Sequence, residues 1–133
     1  MPKTRSRKTL IKNLDKIFSE YIRKRYANKN GFTNCVTCGK KDHWKNLQCG
    51  HFISRKQLAT RFDELNCQTQ CVGCNVFKYG EQYKFSLFLN AHYGENTAEE
   101  LYNKSKKITR LTNVELLDKI QYYKEKVAQL DIK

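Results

Sequence analysis

The chain has 133 residues, and 26 Lys and Arg against 13 Asp and Glu give it a net charge of +13. That length supports one hydrophobic core rather than two, and no run of eighteen apolar residues offers a membrane span. So much positive charge calls for an anionic partner, nucleic acid above all. The charge is concentrated early: residues 1–30 hold ten Lys and Arg against two acids, residues 95–133 eight against seven. The basic N-terminus has no apolar segment behind it, so no secretory leader is read there. Six cysteines without a leader argue for metal or redox use in the cytoplasm rather than for a disulfide framework.

Residues 1–9 read as a basic, flexible arm carrying Lys3, Arg5, Arg7 and Lys8, followed by a single domain over 10–133. Within it, residues 10–30 form a basic helix with its closing turn. Apolar residues at 10, 11, 14, 17, 18, 21 and 22 recur at helical spacing. Lys12, Lys16, Arg23, Lys24 and Arg25 lie off that stripe, as a solvated face or as one that tracks phosphates. The turn residues NKNGF (Asn28–Phe32) stop the helix. Residues 33–53 read as irregular to β, with LQCGHFI as a strand, and a short helix or ordered loop lies between Ser54 and Glu64. The stretch Val76–Tyr93 reads as helical, with Gly80 against its first turns. TAEE (Thr97–Glu100) and TNVE (Thr112–Glu115) both fit a capping box that starts a helix. The last helix, over 113–130, places Val114, Leu117, Ile120, Tyr123, Val127 and Leu130 on one stripe. The class is therefore α+β: three or four helices around a small β-containing metal centre.

Cys35, Cys38, Cys71 and Cys74 form two Cys-x-x-Cys pairs, the ligand pattern of a closed structural zinc site. The 32 residues between the pairs exceed the 15–20 of an ordinary zinc ribbon. The extra length leaves room for a hairpin and a loop, and His51 lies in it. Cys49 and Cys67 read as small buried residues beside the centre. His43 reads as a loop residue and His92 as a helix end. Trp44 either packs over the first pair or stacks on an unpaired base. Arg61 and Asp63 are placed to pair with each other.

A histidine in a strand is usually packed structure, but Asn66 follows His51 by 15 residues and Asn75 by 24. Asn75 directly succeeds the second cysteine pair, so a metal there would hold it rigidly. Neutral imidazole accepts a proton from water at physiological pH. A hard divalent ion held by an amide oxygen stabilises a phosphorane and its leaving oxygen. These are the parts of a phosphodiester hydrolase. Arg55 and Lys78 flank the expected pocket.

CGHFISR followed by RFDELNCQTQCVGCNVFKYG resembles the ββα-metal (HNH, His-Me finger) nucleases, and within them the NinG (Rap) family of phage recombination endonucleases. The likeness runs from about Cys35 to Gly94 and continues weakly through the C-terminal helices. It implies an α+β fold in which a zinc-stabilised HNH finger over 33–94 is flanked by the N-terminal helix and by two or more C-terminal helices over 95–133. His51 takes the general-base role, Asn66 orients the loop, and Asn75 ligates a catalytic Mg2+ or Mn2+. Many HNH nucleases carry a metal-binding Asp directly before the base; Gly50 stands there instead, and Asp63 is a candidate second contact. The resemblance further implies action on branched DNA, such as Holliday junctions and D-loops, in the cytoplasm of a phage-carrying host. A homodimer is expected by likeness to junction nucleases. The competing reading is a non-catalytic zinc-stabilised nucleic-acid-binding protein, which shares the charge and cysteines but has no use for the His51–Asn66–Asn75 set.

Overall fold

The computed structural model describes residues 6–133. Lys3 and Arg5, expected to contact DNA from the arm, lie outside the described residues. Ser6 accepts a hydrogen bond from the Thr9 N–H at 3.2 Å and so caps helix α1, Arg7–Lys24. That cap starts the helix three residues before the expected Leu10. Arg7 and Lys8 therefore belong to its first turn and not to a free arm. Leu10, Leu14, Phe18 and Ile22, four residues apart, are its buried edge.

This edge packs on the last helix, α5, Asn113–Leu130, whose span is the expected one. The Thr112 hydroxyl accepts from Glu115 N–H at 3.1 Å, and the Glu115 carboxylate closes the capping box. The buried stripe of α5 differs from the expectation, however. Leu116, Ile120 and Tyr123 face the core, whereas Val114 and Leu117 are 66% and 51% exposed. Two adjacent apolar stripes share Ile120 and Tyr123. The one containing Leu116 packs inward, with Phe18 edge-on to Tyr123 at 5.0 Å and the Tyr123 hydroxyl donating to Glu64 Oε2 at 2.9 Å.

Two small antiparallel sheets complete the α+β architecture. Strands β1 (Phe32–Asn34) and β2 (Lys41–His43) carry the first cysteine pair on their connection. Strands β3 (Gln48–His51) and β4 (Cys67–Gln70) pair with His51 opposite Cys67, and the four-residue helix α2 (Leu58–Arg61) lies between them. After β4 the chain makes a π-helical turn, Gly73–Phe77, then helices α3 (Gln82–Tyr93) and α4 (Thr97–Ser105).

The expected continuous helix over Val76–Tyr93 is thus broken. Tyr79, Gly80 and Glu81 take left-handed φ of 54°, 88° and 50°. Gly80 N–H donates to the Cys74 carbonyl at 2.8 Å, and its own carbonyl accepts from buried Gln70 at 2.9 Å. Those bonds bind the turn back onto the cysteine centre. The expected TAEE capping box is also absent. Thr97 is already helical and donates its hydroxyl to the Gly94 carbonyl, and Asn90 Oδ1 accepts from Ala98 N–H at 3.0 Å.

The described residues bury three separate clusters. The largest joins α1, α5 and Cys67, and the third joins Phe85 and Leu89 of α3 to Leu101 of α4. The second contains Cys35, Cys71, Cys74 and a single aliphatic residue, Leu47. The stripe assignment on α5 predicts that Leu116→Ala lowers the unfolding free energy by about 2–5 kcal/mol, whereas Leu117→Ala changes it by less than about 0.5 kcal/mol. Urea titration of the two variants measures both.

Candidate functional site

The donor sulfurs of Cys35, Cys38, Cys71 and Cys74 lie within 4.8 Å of one another, with Cys38 and Cys71 at 3.7 Å. None is in a disulfide. Burial opposes ionisation of Cys35, yet the Thr37 hydroxyl and the backbone N–H groups of Cys71, Thr37 and Cys38 bring its thiol down to about 6. Burial pushes the Cys74 thiol up to about 12. Four sulfurs this close cannot all ionise without a cation among them, and the set could hold a divalent metal with zinc's ligand preference. Local geometry is that of two knuckles. Gly39 N–H donates to the Cys35 carbonyl at 2.8 Å, Asn75 N–H to the Cys71 carbonyl at 2.9 Å, and Cys74 N–H to Cys71 Sγ at 3.4 Å.

The second knuckle runs straight into Asn75. Its amide nitrogen donates to Gln48 Oε1 on β3 at 2.8 Å, so the oxygen is the atom left for a ligand. Asn75 and His51 both line one cleft of about 330 Å³, together with Asp15, Ser19, Arg23 and Arg55. His51 Nε2 lies 3.0 Å from the Arg61 carbonyl. A carbonyl can only accept, so Nε2 carries the proton and Nδ1 keeps a lone pair. Burial lowers the His51 pKa below its ordinary value; the Arg61 carbonyl opposes that shift, and the Arg55 charge adds to it. Burial therefore favours the neutral imidazole.

Asn66 is fully buried behind this histidine. Its Oδ1 accepts from Ile53 N–H at 2.7 Å, and its Nδ2 donates to the carbonyls of Ile53 and Thr60 at 3.1 and 3.0 Å. It thus ties together both ends of the segment between β3 and α2. Asp15 was not legible as a site residue. Its carboxylate grips Arg61 at 3.1 Å (Nε) and 2.5 Å (Nη2), and through Arg61 it holds the carbonyl that orients His51. The available signal was an acid standing alone between Lys12 and Lys16.

Several expected contacts fall elsewhere. Asp63 is not at the cleft: it pairs with Lys104 at 2.5 Å and accepts from Leu65 N–H, beside a different cavity next to α4. It does not pair with Arg61 either, because Asp15 already occupies that guanidinium. Arg25 cannot reach a phosphate. Its side chain is 7% exposed and donates to the carbonyls of Glu64 and Cys67 and to Gln68 Oε1. Lys24 is engaged with Glu20 at 2.9 Å. Trp44 is buried with Arg23 and Lys24 over its ring at 4.9 and 4.5 Å, which removes it from base stacking. Lys78 is exposed but outside the cleft. His43 accepts from Lys45 N–H, and His92 stacks on Phe88, so neither approaches the cleft. Cys49 and Cys67 pack into the main core; burial raises the Cys67 thiol far above its ordinary value.

Arg23 and Arg55 remain at the cleft, and Arg7, Lys8 and Lys12 line an adjoining groove that shares Asp15 and Arg55 with it. Gly50, directly before His51, lies against Gln70. A Cβ at Gly50 would overlap Gln70 Oε1, which is buried without a hydrogen-bond partner among the described residues. The hairpin therefore excludes a side chain at that position unless Gln70 moves.

Fold and site together define a small, basic α+β protein in which a four-thiol centre and a histidine–asparagine cleft share one turn. The family model described as bacteriophage lambda NinG protein matches residues 2–132, and the chain belongs to the NinG family. The match takes in the N-terminal basic helix and the C-terminal helices as well as the cysteine centre. No curated protein and no solved structure matches the chain.

A four-thiol metal site makes a direct prediction. Elemental analysis of the purified chain is expected to find a single tightly held zinc that Cys71→Ser removes, with loss of protection of residues 33–49 and 71–80 in hydrogen exchange. Wild-type protein that is metal-free yet equally protected would contradict it.

Proposed function

We propose that this chain is a metal-dependent endonuclease of the ββα-metal type, acting on branched DNA during phage recombination. The observation that carries the reading is His51, its Nε2 3.0 Å from the Arg61 carbonyl, in the same cleft as an asparagine whose side-chain oxygen has no hydrogen-bond partner among the described residues. The sequence β3, β4 and the turn bearing Asn75 supports the resemblance to that nuclease class, and membership of a phage family supports the setting.

In the proposed hydrolysis, His51 Nδ1 takes a proton from a water that attacks phosphorus. The P–O3′ bond breaks, and the 3′-oxygen leaves. Mg2+ or Mn2+ would supply charge stabilisation on the phosphorane and the leaving oxygen. Asn75 Oδ1 would hold that ion, an oxygen donor of the kind hard cations take. Arg23 and Arg55 are placed at the cleft to hold the phosphodiester, and the groove of Arg7, Lys8 and Lys12 to follow the strand beyond it. Asn66 and the Asp15–Arg61 pair are positioning groups: they act through the loop and the carbonyl that fix the imidazole.

His51→Ala is expected to slow Mg2+-dependent nicking of a four-way junction by about 10²–10⁴-fold, with binding and the zinc content unchanged. Tight binding without cutting by wild type, under any divalent ion, would leave a zinc-stabilised DNA-binding protein.

The base must be neutral, so the acid limb of the rate profile tracks the His51 pKa and lies below the ordinary 6.5. Arg55 disfavours the imidazolium and Asp15 favours it. Arg55→Ala is therefore expected to move the limb to higher pH, and Asp15→Asn to lower pH with reduced kcat. Shifts of one sign in both variants would contradict the assignment of the base.

A further inference from the structure

Of the fourteen large apolar side chains exposed among the described residues, six fall in one short stretch: Val72, Val76, Phe77, Tyr79, Tyr83 and Leu87. Scattered exposed rings need no explanation, but a concentration on consecutive turns does. Three of the six are aromatic and nearly free, with Phe77 74%, Tyr79 88% and Tyr83 75% exposed. Lys78 and Lys84 are interleaved with them. Glu81 is the one acid in residues 65–94, and it is paired with Lys84 at 3.4 Å.

Tyr79 is the most informative of these. Its φ of 54° costs a non-glycine residue about 1–2 kcal/mol, and its exposed ring recovers nothing by packing. Gly or Asn would meet the same backbone demand more cheaply. The fold therefore has no use for this ring. Position supplies a use: Phe77 follows Asn75, which lines the cleft, by two residues in the same π-helical turn, so the aromatic stretch leads directly away from a cleft residue without lining the cleft itself.

We propose that Phe77, Tyr79 and Tyr83, with Lys78, form a stacking surface for unpaired DNA bases beside the scissile phosphate. It recognises the single-stranded character of a branch point. The position of the scissile bond rests on the nuclease reading above. Unpaired bases offer π faces that a continuous duplex keeps stacked, and lysines neutralise phosphate without reading sequence. A second copy of the chain is the less suitable occupant, because each copy would bring the same lysines and a net charge of +13 to the contact.

The test measures binding of the zinc-loaded full chain by fluorescence anisotropy, with Ca2+ replacing Mg2+ so that cleavage does not intervene. Three probes are compared: a fork with unpaired arms, the same fork with abasic arms, and a blunt duplex. Wild type is expected to prefer the natural fork roughly tenfold or more over both other probes. Tyr79→Asn and Phe77→Ala are each expected to weaken fork binding about tenfold, to change duplex binding by less than about twofold, and to leave the melting temperature unchanged or, for Tyr79→Asn, raised. Abasic arms that bind as tightly as natural ones, or equal losses on fork and duplex, would overturn the proposal. So would a DNA-free dimer in sedimentation that either substitution dissolves. Cutting is scored separately in Mg2+: fork preference without cutting retires the nuclease and keeps the surface, and cutting without preference does the reverse.

Discussion

Four sulfurs within 4.8 Å of one another are the constraint on which the rest of the site depends. Brought together as thiolates they repel, and as thiols they bury polar atoms around a single leucine, Leu47. A divalent cation would resolve both problems and would supply the folding free energy that this thin cluster lacks. Its consequences spread along the chain. One knuckle closes the β1–β2 connection, and the other ends β4 and opens the turn that presents Asn75. The strained residues Tyr79 and Glu81 are anchored from the same centre, through Gly80 bonded to Cys74 and Gln70.

The other half of the cleft comes from the α1–α5 pair, which is held by apolar packing rather than by metal. Asp15 stands on α1 one residue beyond buried Leu14, and from there it fixes Arg61 in the groove beside the cleft. Arg61 in turn fixes His51. The histidine is thus oriented from the hydrophobic core and the asparagine from the cysteine centre. This division separates two kinds of damage: loosening α1 misplaces His51, and loosening the knuckles misplaces Asn75. Sites assembled from independently supported elements hold their geometry only while both supports hold.

How much was legible in the sequence depended on the range of the interactions. Cysteine spacing announced the four-thiol cluster because two knuckles are local motifs, and TNVE announced the start of the last helix because a capping box is local as well. His51, Asn66 and Asn75 could be singled out by chemistry and spacing, and the hairpin does bring the first and last to one cleft. Failures arose where side chains chose distant partners. Asp15 finds Arg61 across 46 residues, which leaves Asp63 to Lys104, and Arg25 turns inward to carbonyls 39 and 42 residues away. The α5 stripe was ambiguous by one residue, Leu116 or Leu117, and burial of Leu116 in the core cluster with α1 decided it. The break at Tyr79–Glu81 escaped helical periodicity because contacts to the preceding cysteine turn, not local propensity, dictate it.

We propose that one turn joins two distinct ions, a thiolate-held zinc behind it and an oxygen-held divalent ion in front. A crystal of the chain grown with Mn2+ tests this most directly, with anomalous scattering collected at the zinc and manganese edges. The expected result is zinc among Cys35, Cys38, Cys71 and Cys74, and manganese about 2.1 Å from Asn75 Oδ1 in the cleft of His51. Manganese absent from the cleft, or bound there with the Asn75 oxygen turned away from it, would contradict the claim.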